Sequence, residues 1–513
     1  MITNQILMKN QPLLHGFLAA TIVFCLGTGT ISAATYHVRA GATGTANGSD
    51  WTNAYPTLPG TLLRGSTYYV ATGTYGGYTF NTSESGTSVV TVKKATVLDH
   101  GSNIGWNDSY GIGTAVFTNY WQITRGYFTL DGQVGGGPGS WTNGYGFKIQ
   151  SLSTTTFRPG IRIYDDRKNV TLRHFEIQGN GGDGDGGNNG PANDALEIGV
   201  GTDHTTVSYA YLHDMGRCLI FGHGNNMFFE YVYGGKFEAT DAEHAEIASL
   251  WASIPTVSVC TNVTFANCVW SHMEGTGGLV MEGDGVKIYG NTFYRPAGIT
   301  FPSANGAIAT WRTGIFVRGR IYNNSFINLG SGFASLGIGF GGATDDNIVA
   351  NNIFYNCNVN FGGVALHDYN LFINTSGANA ASEAHGATAT SGIFNDYTAL
   401  NFNLKSNTVA GTNIGAPYNT DPIGNPRTTW TRGAYEYGSG PNGVSLKIQR
   451  IGNQIVFSWP DSNTSYRLCS ATNLSLSAIW TIRTNVPALA NGQWSLSLPL
   501  PATQQLFFRL QKL

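Results

Sequence analysis

The nonapeptide GVKIYGNTF, Gly285–Phe293, decides the fold. Val286 and Ile288 alternate with Lys287 and Tyr289 at the period of a strand, Gly290-Asn291 bends the chain, and Phe293 resumes the apolar side. The phrase recurs as NVTLRHFEI from Asn169, TVSYAYLHD from Thr206, NMFFEYVY from Asn226, NVTFANCVW from Asn262, RIYNNSFIN from Arg320 and NIVANNIFYN from Asn347. Successive phrases, Gly285 included, begin 37, 20, 36, 23, 35 and 27 residues apart. A unit of this size has nothing against which to bury its apolar side, so neighbouring units must stack. The leucine ladder of leucine-rich repeats is missing, as are the four strands per ~40 residues of a propeller blade. The remaining all-β solution is a right-handed parallel β-helix. Asn291, Asn324, Asn352 and Asn370 recur before Phe or Leu-Phe, which suits amide side chains stacked at coil corners, and glycine is expected to supply the positive φ that corners need.

Composition agrees with a stacked, exported scaffold. Glycine, at 69 of 513 residues, is about double its usual ~7%, and charged residues, at 11%, are under half the usual ~25%. Aromatic residues at 12% argue against disorder. A net charge of -2 provides no field to attract nucleic acid or an anionic membrane. Lys9, the apolar run Leu13–Leu26 and the small residues around Ala33 read as a signal peptide over residues 1–33, and the run is too short and interrupted for a membrane span. The mature chain keeps Cys218, Cys260, Cys268, Cys357 and Cys469, an odd and scattered set that is no disulfide framework. Cys260 and Cys268 are the one pair close enough in sequence to suggest a bridge.

The opening TYHVRAGATGTANGSDWTNAYPTL from Thr35, the segment YYVATGTY from Tyr68 and the closing RGAYEYG from Arg432 resemble secreted pectate-lyase-like β-helix proteins. The resemblance implies one β-helix over residues 34–438. Residues 439–443 then read as a linker. Over 444–513 a hairpin around Gly452-Asn453 and further short strands resemble fibronectin III-like or immunoglobulin-like tails, implying a small β-sandwich-like module.

In a parallel stack, residues just past equivalent strands line up about 4.8 Å apart. Registering the phrases puts His213-Asp214, Lys236, His272 with Glu274, and Tyr294-Arg295 on one polar stripe. Five of the 11 histidines lie between His204 and His272, among Asp194, Glu197, Arg217, Glu238, Asp241, Glu243 and Glu246. The segment EHAEIASLW, Glu243–Trp251, reads as a return strand with His244 and Glu246 on one face and Ala245 and Ile247 turned inward. A short amphipathic helix is the alternative. Either geometry leaves His244 beside a carboxylate, a pairing that sets an imidazole up for proton transfer near neutrality. Glu243, Glu246 and Glu274 are candidate oxygen ligands for Ca²⁺. Asp183 and Asp185 offer a second calcium loop, with a Gly/Asn turn as the plainer reading. Zinc would need His213, His244 and His272, which lack a zinc spacing.

EHAEIASLWAS followed by NVTFANCVWSHMEGTGGLVMEGDGVKIYGNTF is similar to the calcium-dependent alginate lyase and chondroitinase B family. That family's Glu-x-Glu-Ile-Ile-Ser-x-Lys-Ser segment, aligned at Glu246–Ser249, puts its first calcium glutamate on His244, its catalytic lysine on Trp251 and its arginine near Met281. Of its working residues Glu246 alone is kept. The segment also resembles exported β-helix proteins with a His-Ala-Glu segment followed by Glu-Gly-Thr-Gly, here Glu274–Gly277, which implies a shared site.

The functional expectation is a secreted, monomeric enzyme cleaving a polysaccharide in a groove along the coils, by elimination in preference to hydrolysis. Its catalytic candidates are His213, Asp214, His244, Glu246, His272 and Glu274. Tyr231, Tyr233, Trp251, Trp270 and Tyr294 are the candidate sugar platforms, and Arg217, Lys236 and Arg295 the candidate anion partners. In that reading His213 or His244 removes a proton α to a uronate. The competing expectation is a glycan-binding or adhesive surface protein without catalysis.

Overall fold

The structure, a computed structural model, describes residues 34–152, 159–181, 193–237, 245–250, 259–271, 277–296, 307–310, 315–329, 338–339, 346–362, 364–389, 392–437, 446–460, 466–472, 480–490, 493–500 and 506–512. The signal-peptide reading and the Asp183/Asp185 loop lie outside these residues. Among those described there is no α-helix, and no helix is long and apolar enough to cross a membrane. The core of the molecule is one 32-stranded assembly in which every strand pairs in parallel with its neighbours. It is the right-handed parallel β-helix that the alternating phrases require.

Each coil contributes to three walls. The first is built from strands such as Val90–Lys94, Phe128–Asp131, Thr264–Ala266, Lys287–Tyr289 and Arg320–Tyr322. The second includes Ala115–Phe117, Phe147–Gln150, Thr292–Tyr294 and Ser325–Ile327. The third includes Trp121–Ile123, Ile161–Ile163, Ile220–Asn225, Glu246–Leu250 and Gly277–Met281. The long strand Lys168–Gln178 runs from the first wall into the second, and Leu196–Met215 runs from the third wall through the first into the second.

Period-two alternation fills the interior. Leu130, Leu172, Val207, Phe229, Phe265, Ile288, Ile321 and Val349 are successive rungs of one inward column, and all are sealed from solvent. Phe293, Phe326, Phe354 and Phe372 stack on the second wall at 4.9, 5.0 and 5.5 Å between ring centres. Such columns are the only way that strands of three to five residues can bury apolar area continuously.

The corner from first to second wall is one left-handed residue per coil: His174, Tyr209, Tyr231, Asn267, Gly290, Asn323 and Asn351. Glycine was the expected corner residue, yet it holds just one of these positions. Asparagine tolerates the left-handed region and supplies a side-chain amide that glycine lacks. Immediately after that corner, the Nδ2 groups of Asn291, Asn324 and Asn352 each donate to the next Oδ1, of Asn324, Asn352 and Asn370, at 3.0 Å. All four are fully buried. The ladder ends where Asn370 donates to Glu383 at 2.7 Å.

EHAEIASLW is a strand and not a helix over its described part: Ile220 pairs with Ala248, and Ala248 with Leu279. Cys260 and Cys268 form no bridge; the five described cysteines are buried free thiols. At the far end of the array Arg432 is buried and donates to the carbonyls of Asn370, His385 and Ala410 at 2.8 to 3.1 Å, tying the RGAYEYG segment to the last coils. Beyond it, Lys447–Ile451, Gln454–Pro460, Gln493–Pro499 and Ala488–Ala490 form one antiparallel sheet, and Thr481–Ile482, Tyr466–Ala471 and Phe507–Lys512 another. Phe457, Trp459 and Leu496 from the first sheet and Leu468 from the second share a core, as in a sandwich.

Candidate functional site

The outer surface of the second wall carries the molecule's ionisable chain. Phe147–Gln150 and Phe175–Gln178 pair residue for residue, FKIQ against FEIQ, so Lys148 faces Glu176 and Gln150 faces Gln178. On the next coil Tyr211 sits over Glu176 and His213 over Gln178. The inward members Phe147, Ile149, Phe175, Ile177 and Leu212 are buried, which fixes the polar members outward.

These side chains join across three coils. Lys148 Nζ is 2.6 Å from Glu176 Oε1, and the same oxygen lies 3.1 Å from His213 Nε2. His213 Nδ1 in turn lies 2.7 Å from Asp214 Oδ2, and its ring stacks on Tyr211 at 3.9 Å. Burial of His213, which is 6% exposed, pulls its pKa down, but the flanking carboxylates of Asp214 and Glu176 outweigh that and hold it above the ordinary histidine value. Burial likewise pushes Glu176 up, and His213 and Lys148 outweigh it, leaving Glu176 below the usual carboxylate range. With a carboxylate on each ring nitrogen, the protonated form of His213 is favoured over that of an ordinary histidine. Both carboxylates favour the form that carries a proton on each ring nitrogen.

Register also brings the stripe residues near. Leu212, Gly234, Trp270 and Phe293 are successive partners, so His213, Gly235, Ser271 and Tyr294 follow in one column. Asp214 and Lys236 share the next corner, both with left-handed backbones. Further along that corner Asn328, Asn356 and Asn374 form a second amide ladder at 2.9 and 2.8 Å. Proximity does not make every member accessible. Trp270 points inward and is 0% exposed, while Tyr233 and Tyr294, each 4% exposed, lie in a covered apolar cluster; none of the three is a sugar platform. Arg295 is buried too. Tyr231 stands at the other corner, stacked on Tyr209 at 4.9 Å, with Tyr209 on His174 at 4.8 Å and His174 Nδ1 2.7 Å from Asp131.

A second cluster sits at the head of the third wall. Arg217 Nε donates to Asp194 Oδ1 at 2.9 Å while its guanidinium lies 4.1 Å over the Phe221 ring. Burial drives the Asp194 carboxyl up to about 7, because Arg217 offsets the loss of water only in part. Cys218 Sγ donates to Glu246 Oε2 at 3.1 Å. His244, His272, Glu243, Glu274 and Trp251 lie outside the described residues. Of the three candidate calcium ligands Glu246 alone is described. It is 4% exposed, and its Oε2 accepts from the Cys218 thiol. Among the described residues no group of three His, Cys, Asp or Glu side chains is placed to hold a metal.

Lys148, Glu176 and Tyr211 were missing from the sequence-derived set. For Lys148 and Glu176 the signal was present as the repeated Phe-x-Ile-Gln with lysine and glutamate exchanged, 28 residues apart.

No family model and no curated protein matches the chain. Among solved structures it is similar to the alginate lyase from Paenibacillus sp. str. FPU-7, with a TM-score of 0.33 and 12% identity, covering 69% of this chain and 98% of that one. The tailspike protein gp49 from Acinetobacter baumannii bacteriophage Fri1, a capsular polysaccharide depolymerase, gives 0.28 and 10%, over 82% of this chain and 81% of that one. The Streptococcus pneumoniae surface protein and adhesin PfbA gives 0.28 and 9%, over 63% and 88%. Superpositions this loose assign no role to any residue.

Proposed function

We propose that the protein is an exported polysaccharide-cleaving β-helix protein whose reacting site is the outer second wall around His213. The observation that supports this is the unbroken chain Lys148–Glu176–His213–Asp214 across three coils, in a sequence with only 11% charged residues. A structural ion pair needs two partners; here the central imidazole is clamped from both sides by carboxylates that favour its protonated form, the form required of a general acid. Gln150 and Gln178, linked at 3.2 Å, flank it with amide groups suited to sugar hydroxyls. In an eliminative or a hydrolytic cleavage the His213 proton would pass to the departing glycosidic oxygen. The base is then a different group.

A second reading, binding without cleavage, draws on the same chain, because both ring nitrogens of His213 are already engaged. Incubating the full-length protein with uronate-containing and neutral glycans separates the two. New unsaturated ends, seen by ultraviolet absorbance, or new reducing ends support cleavage. Retention of a glycan with no new ends of either kind would leave the binding reading in its place.

A further inference from the structure

The second wall is not open along its length. Its outward rungs run Thr74, Val116, Lys148, Glu176, Tyr211 and Tyr233. Thr74 is exposed and Val116, Lys148 and Glu176 are half-buried, but Tyr233 is sealed. Two segments of the chain do the sealing.

The first is the excursion between Gly132 and Gly146. Its ends meet so closely that a Cβ on Gly146 would lie 1.8 Å from the Gly132 carbonyl oxygen, and one on Gly132 would lie 1.9 Å from the His174 carbonyl oxygen; only glycine closes the loop there. The excursion climbs the wall: Tyr145 stacks near Tyr211 at 6.4 Å, and Trp141 reaches Tyr233 at 6.3 Å. The Tyr145 hydroxyl donates to the Trp141 carbonyl at 2.7 Å and fixes the tip. The second segment is the pair of strands Phe394–Asp396 and Asn401–Leu404 with Ala434 and Tyr435, which buries Tyr294, Ile327, Ile353, Tyr355 and Ile373 on the later coils.

Among the described residues the wall is thus a trough that opens over Thr74 and Val116 and stops at Trp141 and Tyr233, with His213 beside its closed end. From Val116 to Tyr211 is three rungs, about 14 Å at about 4.8 Å per coil. Among the described residues Trp141 and Tyr145 stand over the rungs of Tyr233 and Tyr211, across the line of a polymer lying along the coil axis.

Resting on the reading of His213 as the reacting group, we propose that the trough admits the end of a glycan chain and not its middle, so that cleavage releases a short product of fixed length from the terminus.

The test uses the full-length protein and a long glycan that it cleaves. One short product should appear from the earliest time points, and viscosity should fall only in proportion to the mass released. An early collapse of viscosity with a broad ladder of fragments overturns the proposal. Calorimetry provides a second measurement that does not need turnover: affinity per molecule should level off at short oligosaccharides and drop at least tenfold when the recognised chain end is blocked. Affinity that keeps rising with chain length, or is indifferent to blocking, also overturns it. Neither cleavage nor binding of any glycan would instead remove the functional reading beneath it.

Discussion

His213→Ala in the full-length protein is expected to lower turnover of its glycan by about 100-fold or more, the usual contribution of a positioned proton donor. That factor corresponds to about 2.7 kcal/mol of transition-state stabilisation. The pH dependence distinguishes chemistry from mere support. Because Asp214 and Glu176 raise the His213 pKa, the active protonated form persists above the ordinary value near ~6.5, and activity should be present at lower pH and fall as pH rises through the raised value. Glu176→Gln removes one of the two carboxylates, so this descending limb should move to lower pH while turnover on the acid side survives. Asp214→Asn should move it the same way. A descending limb that stays in place in both variants, or an unaffected His213→Ala, would dismiss His213 as the acid.

The same shifts bear on stability with opposite signs. The His213 contribution is fully present below its unfolded pKa and is lost as pH rises through the raised folded value. The Glu176 contribution is present above the unfolded carboxylate value and is lost as pH falls through its lowered folded value. The pair therefore supports the fold best between those limits.

The largest expected loss of stability is in the buried amide ladder. Asn352 donates through Nδ2 to the carbonyls of Ile321 and Ala350 and to Asn370 Oδ1, and its Oδ1 accepts from Asn324 Nδ2 and from the Asn324 backbone N–H at 2.8 Å. Asn352→Leu matches its volume approximately and removes every one of these bonds. Each buried group left unsatisfied costs ~1–3 kcal/mol, and partial relaxation leaves an expected loss of about 3–5 kcal/mol. Urea denaturation followed by intrinsic fluorescence measures it. Asn374→Leu is the matched control: its Nδ2 reaches Asn356 at 2.8 Å at an exposed corner, where water replaces the bond, so the change should be under about 1 kcal/mol. Equal losses in the two variants would show that the ladder contributes nothing through burial. Because coils contact only their neighbours, the damage should stay local to the later coils.

These two predictions differ in how far they could be read before the structure. Asn324 and Asn352 precede Phe or Ile-Phe at recurring positions, and an amide that repeats once per coil at a corner can pair with its own copy above and below. That deduction needs only sequence and spacing. His213 was likewise visible as a candidate with Asp214 beside it, but its partners on other coils were not. Lys148 and Glu176 lie 65 and 37 residues earlier in the chain, and nothing local marks which coil meets which. The pKa direction of His213 rests on its neighbour Asp214 together with the distant Glu176, and the second of these is fixed by the stacking of coils.

What the sequence determined on its own is the all-β parallel coil, its inward apolar columns and its corner amides, because period-two alternation separates the two faces of a strand and the repeat forces coils to stack. It left Glu243–Trp251 open between a strand and a short helix; the pairing of Ala248 with Ile220 and Leu279 makes Glu246–Leu250 a strand. Only the tertiary structure decided that Trp270 lies inside while His213 lies outside, that Tyr233 and Tyr294 are covered, and that the excursion after Gly132 closes the trough. The physical reason is that connections between walls vary in length, so the shift between coils and the path of each excursion are fixed by packing against other coils and not by any local pattern.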